Sequence, residues 1–202
     1  MAQDSRPDPA FDPAPKPDAP PRTRLLDAAD ELFYRDGIAR TSVDRVLEQA
    51  HVSPGTLYAH FGGKDGLIAA ALQRRLDRWD RIWQEAVNAA QTPTGKLLAL
   101  FDAVATYRNR HVPARGCAFL ATATELPSPE HPAHAVLAAE SALLRTRLTL
   151  LANAVGGPAP TALAADVLLV YDGAMAGLLR GWETDPLAHG RAVAARLIAN
   201  GR

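Results

Sequence analysis

Thr56, Tyr58 and His60 stand along the octet PGTLYAHF, and Lys64 follows just beyond it. These are side chains with something to offer a nucleic acid. A threonine hydroxyl hydrogen-bonds a base edge or its methyl packs on thymine, and a lysine neutralises phosphate. Leu57 and Phe61, four apart, form the buried edge of the same helix. Gly55, Thr56, Ala59 and His60 then face away, with Tyr58 at the boundary. Ser53 supplies an N-cap oxygen, and Pro54 takes the first helical position, where its missing N–H costs nothing. Ahead of this helix lies a second short one. Thr41 caps it, Asp44 completes a capping box, and Val43, Val46, Leu47 and Ala50 recur at helical spacing. Two short helices with a tight break, the second with a small and polar outer face, suit a DNA major groove.

The elements that position this pair follow from the rest of the chain. Residues 1–20, rich in Asp-Pro and Ala-Pro, read as a disordered tail. A first helix is expected from about Thr23 to Arg35, with Leu25, Ala28, Ala29, Leu32 and Phe33 as its core stripe. Arg22 and Arg24 sit at its start, within reach of phosphates. A long helix from Lys64 to about Ala90 carries Leu67, Ile68, Ala71, Leu72, Leu76, Trp79 and Trp83. Further helices are expected near Lys96–Arg110, from Cys117 to the Pro127-Ser128-Pro129 break, over Pro132–Val155, over Thr161–Arg180, and after Pro186. No alternating strand pattern occurs. The expected fold is therefore all-α, with about nine helices. The expected division is a tail at 1–20, a three-helix DNA-binding domain at 21–81 and a helical domain at 82–202.

The words LLDAADELFYRDG, TSVDRVLEQAHVS and PGTLYAHF, with KDGL opening the next helix, resemble the helix-turn-helix domain of the TetR family of transcriptional regulators. The resemblance is specific from about Arg22 to Leu72. The block RGCAFL, followed by ELPSPEHP, resembles the C-terminal domain of one large TetR subgroup. Three departures bear on packing. His51 stands where many members have glycine, Leu47 where alanine is frequent, and Gly63 where serine is usual. The resemblance implies that Pro54, Gly55 and Thr56 meet bases. It implies further contacts to bases or backbone from Tyr58 and His60, and to phosphate from Lys64. Arg24, Thr41, Ser42 and Ser53 complete the expected DNA surface. The family also implies an effector pocket in the C-terminal helices, with Trp83, Phe101, Tyr107, Phe119, Thr122 and Tyr171 as candidate lining. An inducing ligand would pivot the fourth helix.

One recognition helix reads only a few base pairs, so a homodimer on an inverted-repeat operator is expected. Leu168, Leu169, Met175, Leu178, Leu179 and Leu197 are the candidate interface across a two-fold axis. The formal net charge is +0, so any basic patch must arise from geometry. Cys117 is the single cysteine, which excludes an internal disulfide and fits a reducing, cytoplasmic setting. No apolar leader is seen, and no uninterrupted run of about 20 apolar residues suggests a membrane span. An enzymatic reading would draw on His111, Glu125 or Asp172, but no nucleophile–base set or phosphate loop accompanies them. A metal or redox sensor would draw on Cys117, Glu125, Glu130, His131 and His134, with a proline inside the histidine pair. No cofactor and no metal are expected. The leading reading is a ligand-released, DNA-binding repressor, ahead of an effector-free DNA-binding dimer.

Overall fold

The computed structural model describes residues 18–110, 117–181 and 184–200. The tail expected at 1–20 falls almost wholly outside them, as do His111 and the loop at 113–116. Among the described residues every regular element is a helix: α1 (Pro21–Asp36), α2 (Val43–Ala50), α3 (Pro54–Phe61), α4 (Lys64–Ala89), α5 (Pro93–Arg110), α6 (Ala118–Glu125), α7 (Ala133–Val155), α8 (Pro160–Arg180) and α9 (Pro186–Asn200). The expected all-α class holds.

Local chemistry sets the boundaries. Ser42, not Thr41, is the N-cap of α2, and its Oγ accepts from the Arg45 N–H at 3.3 Å. The capping box expected from Thr41 and Asp44 therefore does not form. Thr41 is fully buried, and its hydroxyl donates to the Gly37 carbonyl at 2.7 Å, pinning the turn between α1 and α2. His51 does adopt the left-handed conformation, with φ 51°, at the end of α2. Ser53 caps α3 as expected, with Pro54 behind it in the first turn. Thr92 accepts from the Gly95 N–H at 3.0 Å, so α5 starts a turn earlier than Lys96.

Helix α4 is the spine. Its first turns pack on α1 and α3, and further along it packs on α5 and α7. A boundary at 81/82 thus cuts a continuous helix. At Gly66 a Cβ would lie 1.9 Å from the Phe61 carbonyl oxygen, so only glycine lets α4 begin this close to the end of α3. Asp30 of α1 holds the spine by ion pairs to Arg75 at 2.5 Å, Arg78 at 2.7 Å and Arg74 at 3.2 Å. Arg75 is itself buried and lies 3.7 Å from the Tyr34 ring centroid.

In the C-terminal half, Trp83, Leu97, Leu100, Phe101 and Leu148 form the deepest core. Arg147 of α7 lies over the Trp83 ring at 4.6 Å and pairs with Asp80, tying α7 to α4. At Gly190 a Cβ would come within 3.0 Å of the Phe101 ring, so glycine admits α9 against α5. Helix α8 comes nearest to a membrane span, although Asp166 and Asp172 interrupt its apolar run. An 18-residue stretch of its 21 residues has mean hydropathy 1.6, enough to cross a bilayer by length and composition alone. Here, however, it packs between α7 and α9.

Candidate nucleic-acid interface and effector cavity

Leu57 is the anchor of α3, 1% exposed, while Tyr58 is 62% exposed and Ser53, Pro54, Gly55, Ala59 and His60 share the open side. Thr56 is half-buried, and its hydroxyl lies 3.0 Å from the Ser53 Oγ. Ser42 and Ser53 are exposed but already serve as caps. The cations are distributed unevenly. Arg22 lies over the Phe61 ring at 5.4 Å, bracing α1 against α3. Arg45 is spent on Asp36 at 2.9 Å. Hydrogen bonds from Arg35, and then from Arg45, hold the Asp36 carboxyl down at about 2. Arg24 is half-buried in the first turn of α1. Lys64 donates to the Ile38 carbonyl at 2.9 Å, tying the start of α4 to the α1–α2 turn. An ammonium has three donors, so two remain for phosphate. Of the ten expected DNA residues, Thr41 alone is fully buried, and its side chain has no surface to present.

A second feature lies in the C-terminal half. Helices α6, α7 and α8 line a cavity of about 230 Å³ that opens to solvent past Leu120, Arg145 and Asp172. Of the six candidate pocket residues, only Phe119 and Tyr171 line it. Trp83 and Phe101 are core, filling space between helices. Tyr107 packs its ring edge on Trp79, which in turn stacks on Tyr171. Thr122 is buried on the other side of α6, where its hydroxyl faces Tyr34. Leu168 and Met175, expected at a dimer interface, instead face this cavity. Leu178 and Leu197 are half-buried, and Leu169 and Leu179 of α8 are exposed at 72% and 61%.

Sequence reasoning missed Glu140, Arg145 and Ser141 of this cavity, and raised Asp172 only for an enzymatic cleft. A signal was present. Val136, Glu140, Leu144 and Leu148 recur every four residues and are all buried, so a carboxylate interrupts an apolar stripe. Burial, reinforced by the neighbouring Asp172 carboxylate, pushes the Glu140 carboxyl up to about 7. Burial also raises Asp172.

The sensor residues do not assemble. His131 accepts the Ala133 N–H on Nδ1 at 3.1 Å, and His134 pairs with the Ser128 carbonyl. Cys117 lines the cavity, where burial pushes its thiol up to about 11, opposite to the depressed value of a reactive cysteine. Among the described residues no three metal-binding side chains converge.

Helix α6 joins the two features. Its Phe119, Leu120 and Ala123 line the cavity. From the same helix the Glu125 carboxylate accepts the Ala39 N–H at 2.9 Å, in the turn between α1 and α2.

Comparison with known proteins bears on both halves. Residues 25–71 match the bacterial regulatory proteins of the tetR family. A TetR-family transcriptional regulator from Streptomyces coelicolor superposes with a TM-score of 0.75 at 30% identity, over 89% of this chain and 93% of that one. The chain belongs to the TetR family. A TetR-type regulator from Streptomyces avermitilis gives a TM-score of 0.75 at 31% identity, over 91% of this chain and 98% of that one. Among curated relatives, UidR of Escherichia coli K12 is 41% identical over 59 residues, 29% of this chain and 30% of its own length. YjdC of the same strain is 32% identical over 117 residues, 56% of this chain and 59% of its length. The chain therefore spans less than two thirds of the length of those curated relatives. In this TetR-family protein, the likeness to the two Streptomyces structures carries through the C-terminal helices, whereas the UidR match is confined to a short stretch.

Proposed function

We propose that this TetR-family regulator is a cytoplasmic, homodimeric repressor that places two copies of α3 in successive major grooves of an inverted-repeat operator, and that a small molecule in the α6–α7–α8 cavity releases it. The supporting observation is the position of α6, which lines the cavity with one face and holds the α1–α2 turn with Glu125. A ligand that displaces α6 strains that turn, and the turn carries Thr41, Ser42 and the start of α2. This route differs from a simple pivot of α4, because the walls of the cavity belong to α6, α7 and α8. The ligand acts only to the extent that it binds the DNA-competent and released spacings unequally.

The exposed Leu169 and Leu179 of α8 support the dimer, since two such rows meeting across a two-fold axis would be buried. Base contacts are assigned to Pro54, Gly55, Thr56, Tyr58 and His60, and phosphate contacts to Arg24, Ser42, Ser53 and Lys64. A shift assay on the promoter region beside its own gene tests the reading. A retarded complex that a metabolite pool dissolves supports it; a complex that no pool dissolves reduces the protein to an effector-free DNA-binding dimer.

A further inference from the structure

Glu140 and Asp172 face the same cavity from α7 and α8, and among the described residues neither has an ion pair. Glu140 is 8% exposed, and among the described residues it accepts only from the adjacent Ser141 hydroxyl, at the long distance of 3.5 Å. A carboxylate in such a place is costly unless a cation or several donors meet it. Among the described residues Arg145 is the one cationic side chain on the wall; it is exposed, and no ion pair joins it to Glu140. The remainder of the wall is apolar or aromatic, with Phe119, Leu144, Leu168, Tyr171 and Met175. Tyr171 is 5% exposed and stacks on Trp79, so it presents a fixed aromatic surface.

We propose that the ligand of this cavity is an organic cation: an ammonium or amidinium group seated between Glu140 and Asp172, carried on an apolar body that lies against Phe119, Tyr171 and Met175. The proposal rests on the effector reading only for its regulatory meaning, since the binding itself needs no DNA. Glu140 supplies a charge-assisted acceptor from the buried floor of the site, where such a contact is strongest, and Asp172 supplies a second from its exposed mouth. Tyr171 adds a ring face that attracts a cation. The cavity has room for roughly a dozen non-hydrogen atoms at interior packing density. Such a ligand would supply the counter-charge that Glu140 lacks. A carboxylate ligand would face two like charges and could turn only to Arg145.

Three probes of one shape separate the possibilities: 4-phenylbutylammonium, 4-phenylbutanol and 4-phenylbutyrate. Titration calorimetry on the full chain, with tryptophan emission, to which Trp79 behind Tyr171 contributes, as a second readout, gives their affinities. The ammonium is expected to bind at least tenfold tighter than the alcohol, and the carboxylate weakest. Glu140→Gln should remove the preference for the ammonium while leaving alcohol binding intact, which also shows that the variant is folded; Asp172→Asn should reduce it in part. The assignment is overturned if the carboxylate equals or exceeds the ammonium, if the preference survives Glu140→Gln, or if none of the three binds at millimolar concentration. Operator release is measured separately. Tight ammonium binding without release leaves the cation assignment standing and removes the effector reading. Release by another compound, with the ammonium unbound, does the reverse.

Discussion

The Glu125 carboxylate holds the Ala39 N–H at 2.9 Å, across 86 positions of sequence, and so ties the end of the cavity helix to the turn that feeds the helix-turn-helix. Gly37 lies beside the same carboxylate, where a Cβ would sit 3.4 Å from it. The contact is one hydrogen bond to a charged group, at a site open to water. Its worth for stability is small, about 1–2 kcal/mol. Its position matters more than its strength. Glu125→Ala should leave operator affinity within about threefold but weaken ligand-induced release about fivefold or more, within the usual size of such couplings. Anisotropy titrations of labelled operator, with and without ligand, measure both. Unchanged release would assign the coupling to another contact.

The reading face of α3 makes a sharper claim about DNA. Thr56→Ala should cost roughly 1–3 kcal/mol on the true operator and relax discrimination at one base pair. Lys64→Ala should instead weaken all sequences alike and lower the salt slope by about 1. Because Lys64 also holds the Ile38 carbonyl, its variant is to be compared by slope rather than by affinity alone. Binding curves at several salt concentrations distinguish the two. Equal behaviour of both variants would refute the division into base and phosphate contacts.

Much of this face was legible from residue types alone. Leu57 and Phe61 at helical spacing set the inner edge of α3, and Ser53-Pro54 fixed its start. The cap of α2 was misread by one position because Thr41 and Ser42 are both good caps. Only the tertiary demand on Thr41, which must satisfy the Gly37 carbonyl in the core, decides between them. The cavity was less legible. Aromatic residues in α4 and α5 were natural guesses, yet Trp83 and Phe101 are the packing that keeps the bundle closed. Which aromatic lines a void depends on how α6 leans on α7 and α8, and periodicity within one helix does not carry that information. Glu140 did leave a signal, a charge on a buried stripe, and it went unread.

That charge also predicts a pH dependence of stability. Burial raises the folded-state Glu140 from the ordinary 4.5 to about 7, so the native chain retains a proton that the unfolded chain gives up. Its contribution is neutral below pH 4.5, and stability falls as pH rises from there to about 7. Above that the penalty is fully present. Glu140→Gln should therefore match the parent near pH 4 and exceed it at pH 8 by about 1–3 kcal/mol. Denaturant melts at the two pH values test this. A constant difference between the proteins would contradict it.

Asp30 and Arg75 form the buried joint between α1 and the spine. Breaking one side leaves an uncompensated charge next to Arg74 and Arg78. Asp30→Ala should destabilise by about 3–5 kcal/mol, and chemical denaturation should show the loss directly. A change below about 1 kcal/mol would mean that water reaches the joint and screens it.

Leu169 and Leu179 project from α8 into solvent in the isolated chain. Replacing both by lysine should leave the fold intact, since neither side chain is needed in the core, and should shift the protein from dimer to monomer at micromolar concentration. Sedimentation velocity reports the state. A parent chain that is already monomeric at that concentration would remove the dimer from the account.

The most direct measurement is a footprint of the full-length protein on the promoter region beside its own gene, at low salt. The account predicts two protected half-sites related by a dyad, with centres about 34 Å apart along the duplex, both lost on Thr56→Ala at limiting protein. A single unsymmetrical footprint, or no protection of any palindromic sequence, would contradict it.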